Sequence, residues 1–314
     1  MDQGVGIAPV AALSGAARLR RCALALLLAL GCVLLFVGRQ SETAPQWQRE
    51  LWNFGHVGLF AGLAWALLQR WRAPLRWQLP LLLAGTALVG YAVELIQLHI
   101  GRDYSLRDVL FDVVGAAVGA LLALYPQLRR RQWLLLALPV AAAGVAIALP
   151  FVAIAWDSVQ AARQFPQLAT FASPLQLRRF QFYGGTHGEI RDGALQLQFG
   201  TASWSGFTLS EPPADWRDYR TLVLQLDNPS AEPLTLSCRV DDRLHRRSGF
   251  AFDDRFNRRF VLAPGAGELR IALAEIERAP RGRLLSMAQI DALGCFVHRQ
   301  SQPHRLLLRG LFLE

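Results

Sequence analysis

Five apolar runs, separated by short arginine-bearing connections, fill the first half of the chain and leave it few ways to fold. They cover Cys22 to Gly38, about Phe54 to Leu68, Leu79 to Ile100, Val109 to Tyr125, and Trp133 to Trp156. A helix needs about 20 apolar residues to cross the hydrocarbon of a bilayer, and the shorter runs reach that length by recruiting flanking residues. The expectation for 22–156 is therefore a membrane α-helical bundle of five transmembrane helices, preceded by a cytoplasmic tail at 1–21.

Arginine sets the expected orientation. The formal charge is +9 and the sequence contains no lysine. Arg18, Arg20 and Arg21 precede the first run, Arg70, Arg72 and Arg76 follow the second, and Arg129, Arg130 and Arg131 follow the fourth. The alternate connections hold only Arg39 with Arg49, and Arg102 with Arg107. Cytoplasmic connections carry the basic excess, so five spans place the C-terminal half in the periplasm or outside the cell. Because part of the charge flanks apolar segments, it reads as a topology signal, and no nucleic-acid partner is expected. Ala29-Leu30-Gly31-Cys32 has the look of a lipoprotein cleavage site, yet the apolar run continues through Val37, which favours an uncleaved anchor.

Polar side chains interrupt the second to fourth runs at one depth. Asn53 and His56 open the second, Glu94 and Gln97 lie near the end of the third, and Asp108 and Asp112 begin the fourth. Glu94 stands six residues before Ile100, or about 9 Å below that end at the helical rise. Carboxylates in a membrane helix are costly and mark a functional pocket or a polar clasp. Asp108, Asp112, Gly115 and Gly119 share one helix face, so small residues follow the acids and suit a close helix–helix contact. Arg102 and Asp108 in the turn complete a candidate set in which Arg102 grips a phosphate or carboxylate and Glu94 or His56 moves a proton. The alternative is a charge-paired clasp without chemistry. No nucleophile, cofactor motif or metal-ligand spacing accompanies these residues.

After a connector at 157–179 the pattern changes to short alternating runs: Ala194 to Phe199, Thr221 to Leu226, Leu234 to Val240, Arg259 to Leu262, Leu269 to Leu273, Leu293 to Val297 and Leu306 to Leu313. Asn228-Pro229 and Pro264-Gly265 punctuate them. This spacing predicts an all-β sandwich over 180–314. Cys238 and Cys295 fall inside it, and a disulfide between them or two buried thiols fit equally.

Asn53-Phe54-Gly55-His56-Val57, Glu94-Leu95-Ile96-Gln97, Arg102 with Ser105 and Asp108, and Asp112 followed by Gly115 and Gly119 give residues 45–125 a pattern that resembles the VanZ-like family of bacterial integral membrane proteins. That family often has Asn where this chain has Asp112. The resemblance implies a role in the cell envelope, since the family's namesake is associated with low-level teicoplanin resistance. It also implies Asn53, His56, Glu94, Gln97, Arg102, Asp108 and Asp112 as the substrate-binding set. In the second half, Trp216 to Leu222, Val240-Asp241-Asp242, Asp254-Arg255-Phe256-Asn257 and Ala279 to Arg283 resemble the galactose-binding-like jelly rolls of carbohydrate-binding modules. Here the implied sugar-binding candidates are Trp204, Trp216, Asp241, Asp254 and Asn257, with Phe252 as a further stacking ring. Aromatic residues of a sandwich also serve its core. The paired aspartates at 241–242 and 253–254 fit either calcium or ordinary turns.

Three functions follow as expectations. The leading one is an inner-membrane accessory factor that contacts membrane lipid and binds a glycan or lipid-linked envelope precursor at the outer face, in glycopeptide resistance or exopolysaccharide handling. The second is an enzyme acting on a phosphorylated or glycosylated lipid through Glu94, Arg102, Asp108 and His56. The third is an anchor that presents a binding domain outside.

Overall fold

The computed structural model describes residues 26, 28–33, 46–71, 73–99 and 104–314. Four helices in it are long and apolar enough to cross a membrane, where the sequence leads one to expect five. They are α1 (Gln46–Leu68), α2 (Leu75–His99), α3 (Leu106–Leu124) and α4 (Arg130–Gln164), and a 3-10 turn extends α3 to Gln127. The expected first span, Cys22 to Gly38, lies outside the described residues except for helical positions 26 and 28–33. The chain divides into two compact units, one running to Leu149 and the other comprising Pro150–Glu314 together with Pro45–Trp47, so the main division falls within α4.

In the helical unit, buried positions recur at one helical turn. They are His56, Phe60, Ala64 and Leu68 on α1, and Leu82, Thr86, Gly90, Glu94 and Gln97 on α2. This spacing puts them on a single stripe of each helix. The remaining surface is apolar and exposed, with Leu51, Leu81, Leu88, Leu122 and Leu135 among its residues. α3 is the central helix: a Cβ on its Gly115 would come within 2.5 Å of the Val57 carbonyl oxygen, and one on Gly119 would collide with the Ala61 carbonyl. Small residues therefore let the backbones of α1 and α3 touch. A Cβ added to Gly58 would meet nothing within 4 Å among the described residues, so that glycine takes no part in the α1–α3 contact. Ser105 caps α3 by accepting a hydrogen bond from the Asp108 backbone N–H at 3.3 Å.

The second unit is a β-sandwich. β1 (Gln167–Ala169), β3 (His187–Arg191), β4 (Ala194–Phe199), β6 (Thr221–Asn228), β9 (Gly265–Ala272) and β11 (His304–Leu313) form one sheet, ordered β3-β4-β11-β6-β9 with β1 also on β11. The other contains β2 (Phe180–Tyr183), β5 (Trp204–Ser210), β7 (Leu234–Asp242), β8 (Phe256–Leu262) and β10 (Ile290–His298), ordered β2-β5-β10-β7-β8. All pairings are antiparallel. Alternate residues meet in one core, among them Leu195, Leu197, Leu224, Leu236, Leu293 and Leu308. Cys238 and Cys295 stand opposite each other on β7 and β10 and are joined by a disulfide.

The stretch expected to be a connector is structured. α4 continues to Gln164, β1 follows, and Leu168, Ala169 and Phe171 are core residues. Arg179 clamps buried Asp157 through two charge-assisted hydrogen bonds of 2.7 and 2.8 Å, which ties the C-terminal part of α4 into this unit.

Candidate functional site

Each unit holds a polar constellation. In the helical unit, Nδ1 of His56 on α1 lies 2.8 Å from Oδ1 of Asp112 on α3, and both side chains are buried. Gly90 on α2 makes room for that carboxylate, since a Cβ there would stand 2.6 Å from Asp112 Oδ2. Glu94 is 1% exposed and accepts the Ser105 backbone N–H at 2.7 Å, so the residue that caps α3 also orients this acid. Glu94 and Asp108 both lie within electrostatic reach of His56. Gln97 is buried on the same stripe of α2 and Asn53 is half-buried on α1. Arg102 lies outside the described residues. The arginine seen in this region is Arg107, whose guanidinium donates to Glu50 at 2.9 Å. Three helices thus bring one imidazole and three acids together, and a carboxylate fixes the imidazole's orientation as it would for proton transfer.

The second constellation lies on the outer face of the five-stranded sheet. Core residues alternate with outward-facing ones on every strand, and register aligns the latter in rows. One row is Gln181, Thr208, Gly294, Arg239 and Asn257. The next is Tyr183, Gly206, Phe296, Ser237 and Arg259. Trp204 and His298 pair beyond them, with ring centroids 4.3 Å apart, and Trp204 also meets Phe296 edge-on at 5.3 Å. The bare Gly294 matters: its Cβ would stand 3.1 Å from Arg239 Nε, so glycine lets that arginine reach over β10 to the Thr208 hydroxyl, 3.3 Å from Nη2.

Asp241 sits at the other side of this row and is 6% exposed. Its carboxylate is 3.7 Å from Arg239 Nη1 and 3.8 Å from His245 Nε2. Burial holds its carboxyl above the usual range, while Arg239, His245 and Arg255 act in the opposite direction. Burial also depresses Arg255 and raises Tyr183, whose hydroxyl shares a hydrogen bond with Thr208. Asp241 Oδ1, Arg239 Nε, Arg255 Nε and Asn257 Oδ1 are buried yet make no hydrogen bond among the described residues. Four such atoms on one face are unusual, because buried polar groups are nearly always satisfied.

A loop between β7 and β8 borders this face and carries exposed Phe250 and Phe252. Arg283 fastens it, donating to Asp242 at 2.5 and 2.8 Å and to Asp254 at 2.6 Å. That guanidinium holds the Asp254 carboxyl well below the usual range and is itself raised by the two acids.

These positions correct part of the sequence reading. Trp216 is 0% exposed, and its indole N–H donates to the Pro213 carbonyl at 2.8 Å, so it serves the core and offers no stacking surface. Asp254 is committed to Arg283 and is not open to a sugar. The same guanidinium fills the space between Asp242 and Asp254 that the calcium alternative requires, and no group of three or more metal-ligating side chains occurs among the described residues. Trp204, Asp241 and Asn257 do lie on the outer face. Tyr183, Arg239, Arg255, Phe296 and His298 join them there, and strand register is the signal that would have found them.

No protein-family model matches the chain, and no curated protein matches it. Among solved structures it is similar to a family 11 carbohydrate-binding module from Clostridium thermocellum in complex with a beta-1,3-1,4-mixed-linked tetrasaccharide, at 13% identity and TM-score 0.35, covering 47% of this chain and 93% of that one. An agarase is similar at 15% identity and TM-score 0.39 over 47% of this chain, which spans only 26% of the agarase. A family 29 carbohydrate-binding module is similar at 12% identity and TM-score 0.31, covering 44% of this chain and 82% of that one.

Proposed function

We propose that the chain is a bacterial inner-membrane protein whose sandwich unit binds a glycan on the outer face of its five-stranded sheet. The observation that carries this reading is the set of unsatisfied buried polar atoms on Asp241, Arg239, Arg255 and Asn257, on the same sheet face that carries the exposed ring of Trp204 two rows from Arg239. Sugars present hydroxyls in both donor and acceptor roles and flat C–H faces, so acceptors and donors that share a face with an aromatic ring match successive sugars of a chain. The sandwich acts in this reading as a galactose-binding-like jelly roll.

Membrane residence is supported by four long apolar helices with leucine exposed on their outer faces. A disulfide in the sandwich favours an oxidising compartment for it, which agrees with the arginine asymmetry of the connections. Reporter fusions after Arg76 and Arg131 are expected to report cytoplasm, and fusions within 165–314 the outside. A cytoplasmic C-terminus would remove the extracytoplasmic glycan role. The binding test is a glycan array probed with the purified full chain, followed by Trp204→Ala and Asn257→Ala. Loss of binding in both variants supports the reading, and an array without any bound glycan rejects it.

The helical unit resembles the VanZ-like pattern in Glu94, Gln97, Ser105 and Asp108, with Asp112 where that family often has Asn, and its proposed part is to contact a lipid-linked envelope precursor. A second reading, an enzyme acting on a phosphorylated or glycosylated lipid, draws on the oriented His56–Asp112 pair beside Glu94. Lipid and glycan profiling of cells carrying Glu94→Gln or His56→Ala separates the two. Accumulation of an unprocessed lipid would favour catalysis, and an unchanged profile would favour binding.

A further inference from the structure

We infer that the glycan taken by the five-stranded sheet is acidic, a saccharide whose sugars carry carboxylate groups held by Arg239 and Arg255. This rests on the glycan reading above and adds the ligand's charge.

The argument is one of unbalanced charge. Arg255 is half-buried and forms no ion pair among the described residues; its guanidinium lies over the Phe252 ring at 5.8 Å. Arg239 has a single carboxylate within ion-pair range, Asp241 at 3.7 Å. Two guanidinium groups therefore share one buried acid, and Arg259 in the adjoining row adds a further positive charge. Partly buried cations are ordinarily paired, because desolvation without a counter-charge is expensive. The surrounding pairs emphasise the exception. Arg179, Arg246 and Arg283 each hold a carboxylate at 3.0 Å or less.

Geometry selects the kind of anion. Nε of Arg255 is buried without a partner among the described residues, and Nε together with one Nη forms the fork that matches a planar carboxylate, while Arg239, which already spans Asp241 and Thr208, adds positive charge beside it. Asp241 Oδ1 and Asn257 Oδ1, on adjoining rows of the same face, are acceptors without a hydrogen bond among the described residues and suit the hydroxyls of the same sugar. A carboxylate-bearing sugar satisfies both sets at once. A neutral sugar leaves the surplus charge where it is.

The test uses the purified full chain and a panel of uronate-containing oligosaccharides, each paired with its carboxyl-reduced counterpart, plus sulfated oligosaccharides without uronate. Titration calorimetry at low and high salt reads affinity, and thermal melts check folding of every variant. The expected result is a preference of about tenfold or more for the acid over its reduced form, weakened by salt. Arg255→Gln and Arg239→Gln should abolish that preference, whereas Arg255→Lys, which keeps charge but loses the fork, should retain part of it. If Arg255→Gln fails to fold, the lysine variant and the salt dependence decide. Equal affinity for acid and reduced forms, a preference that survives Arg255→Gln, or binding only to sulfated glycans would overturn the inference while leaving the glycan reading in place. A panel with no bound member, charged or neutral, would reject both.

Discussion

Gly115 of α3 packs so closely on α1 that an added Cβ would stand 2.5 Å from the carbonyl oxygen of Val57. Neither backbone can yield without moving a helix, so this contact fixes the distance at which His56 meets Asp112 one turn away. Gly115→Leu is expected to prevent stable assembly of the helical unit, seen as loss of membrane abundance or of a monodisperse detergent peak. Gly58→Ala is the matched control, because no described residue lies within 4 Å of its added methyl, and its abundance should equal wild type.

Trp216 and Trp204 should separate stability from binding. Trp216→Ala removes a fully buried side chain and is expected to cost about 3–5 kcal/mol, lowering the melting temperature of the sandwich. Trp204→Ala removes a ring that is 53% exposed and should leave the melt almost unchanged while weakening glycan binding. If Trp216→Ala melted like wild type, its place in the core would be wrong.

The Arg283 clamp gives a pH prediction. Asp242 is fully buried, so Arg283→Ala leaves a buried carboxylate unpaired and should cost about 3 kcal/mol at neutral pH. In wild type the Asp254 carboxyl is depressed by Arg283. A depressed acid stabilises the fold above its unfolded value, near pH ~4, and that stability is lost as pH falls through the folded value. The stability gap between wild type and Arg283→Ala should therefore narrow below about pH 4, measured by denaturant titration at several pH values. A gap that widened in acid would contradict the pairing.

Truncation tests where the second unit begins. A piece covering 150–314 should fold alone, with a strand-dominated circular dichroism spectrum and a cooperative melt. A piece starting at 175 lacks β1, the core residues Leu168, Ala169 and Phe171, and the Asp157 partner of Arg179. It should melt lower or fail to fold. Equal melts would mean that this segment adds nothing.

Much of the architecture was written plainly in the chain. Apolar runs locate α1 to α4, and alternation locates β4, β6, β7, β8, β9, β10 and β11, with helix ends up to eight residues beyond the runs because helices and ladders extend past their apolar members. The missed strands have physical reasons. β5 contains Gly206 and Ser205, which give no apolar alternation, and β3 is a short polar strand at a sheet edge. β1 is three residues long and is recruited by its partner β11. At the candidate sites, polar residues inside apolar helices announced His56, Glu94 and Asp112. Arg239 and Arg255 gave no such sign, because arginine is common throughout the chain. Only the pairing of β7 with β8 and β10 places them on one face.

The bond between Cys238 and Cys295 bears on that placement. A strand that slips by one residue exchanges its two faces. Here such a slip between β7 and β10 would turn Arg239 and Asp241 into the apolar core and bring Cys238 and Val240 to the surface. Since the two cysteines are directly opposite, a covalent bond between them forbids this error. The bond thus acts as a proofreading device for which side chains a ligand meets, at a position no ligand touches.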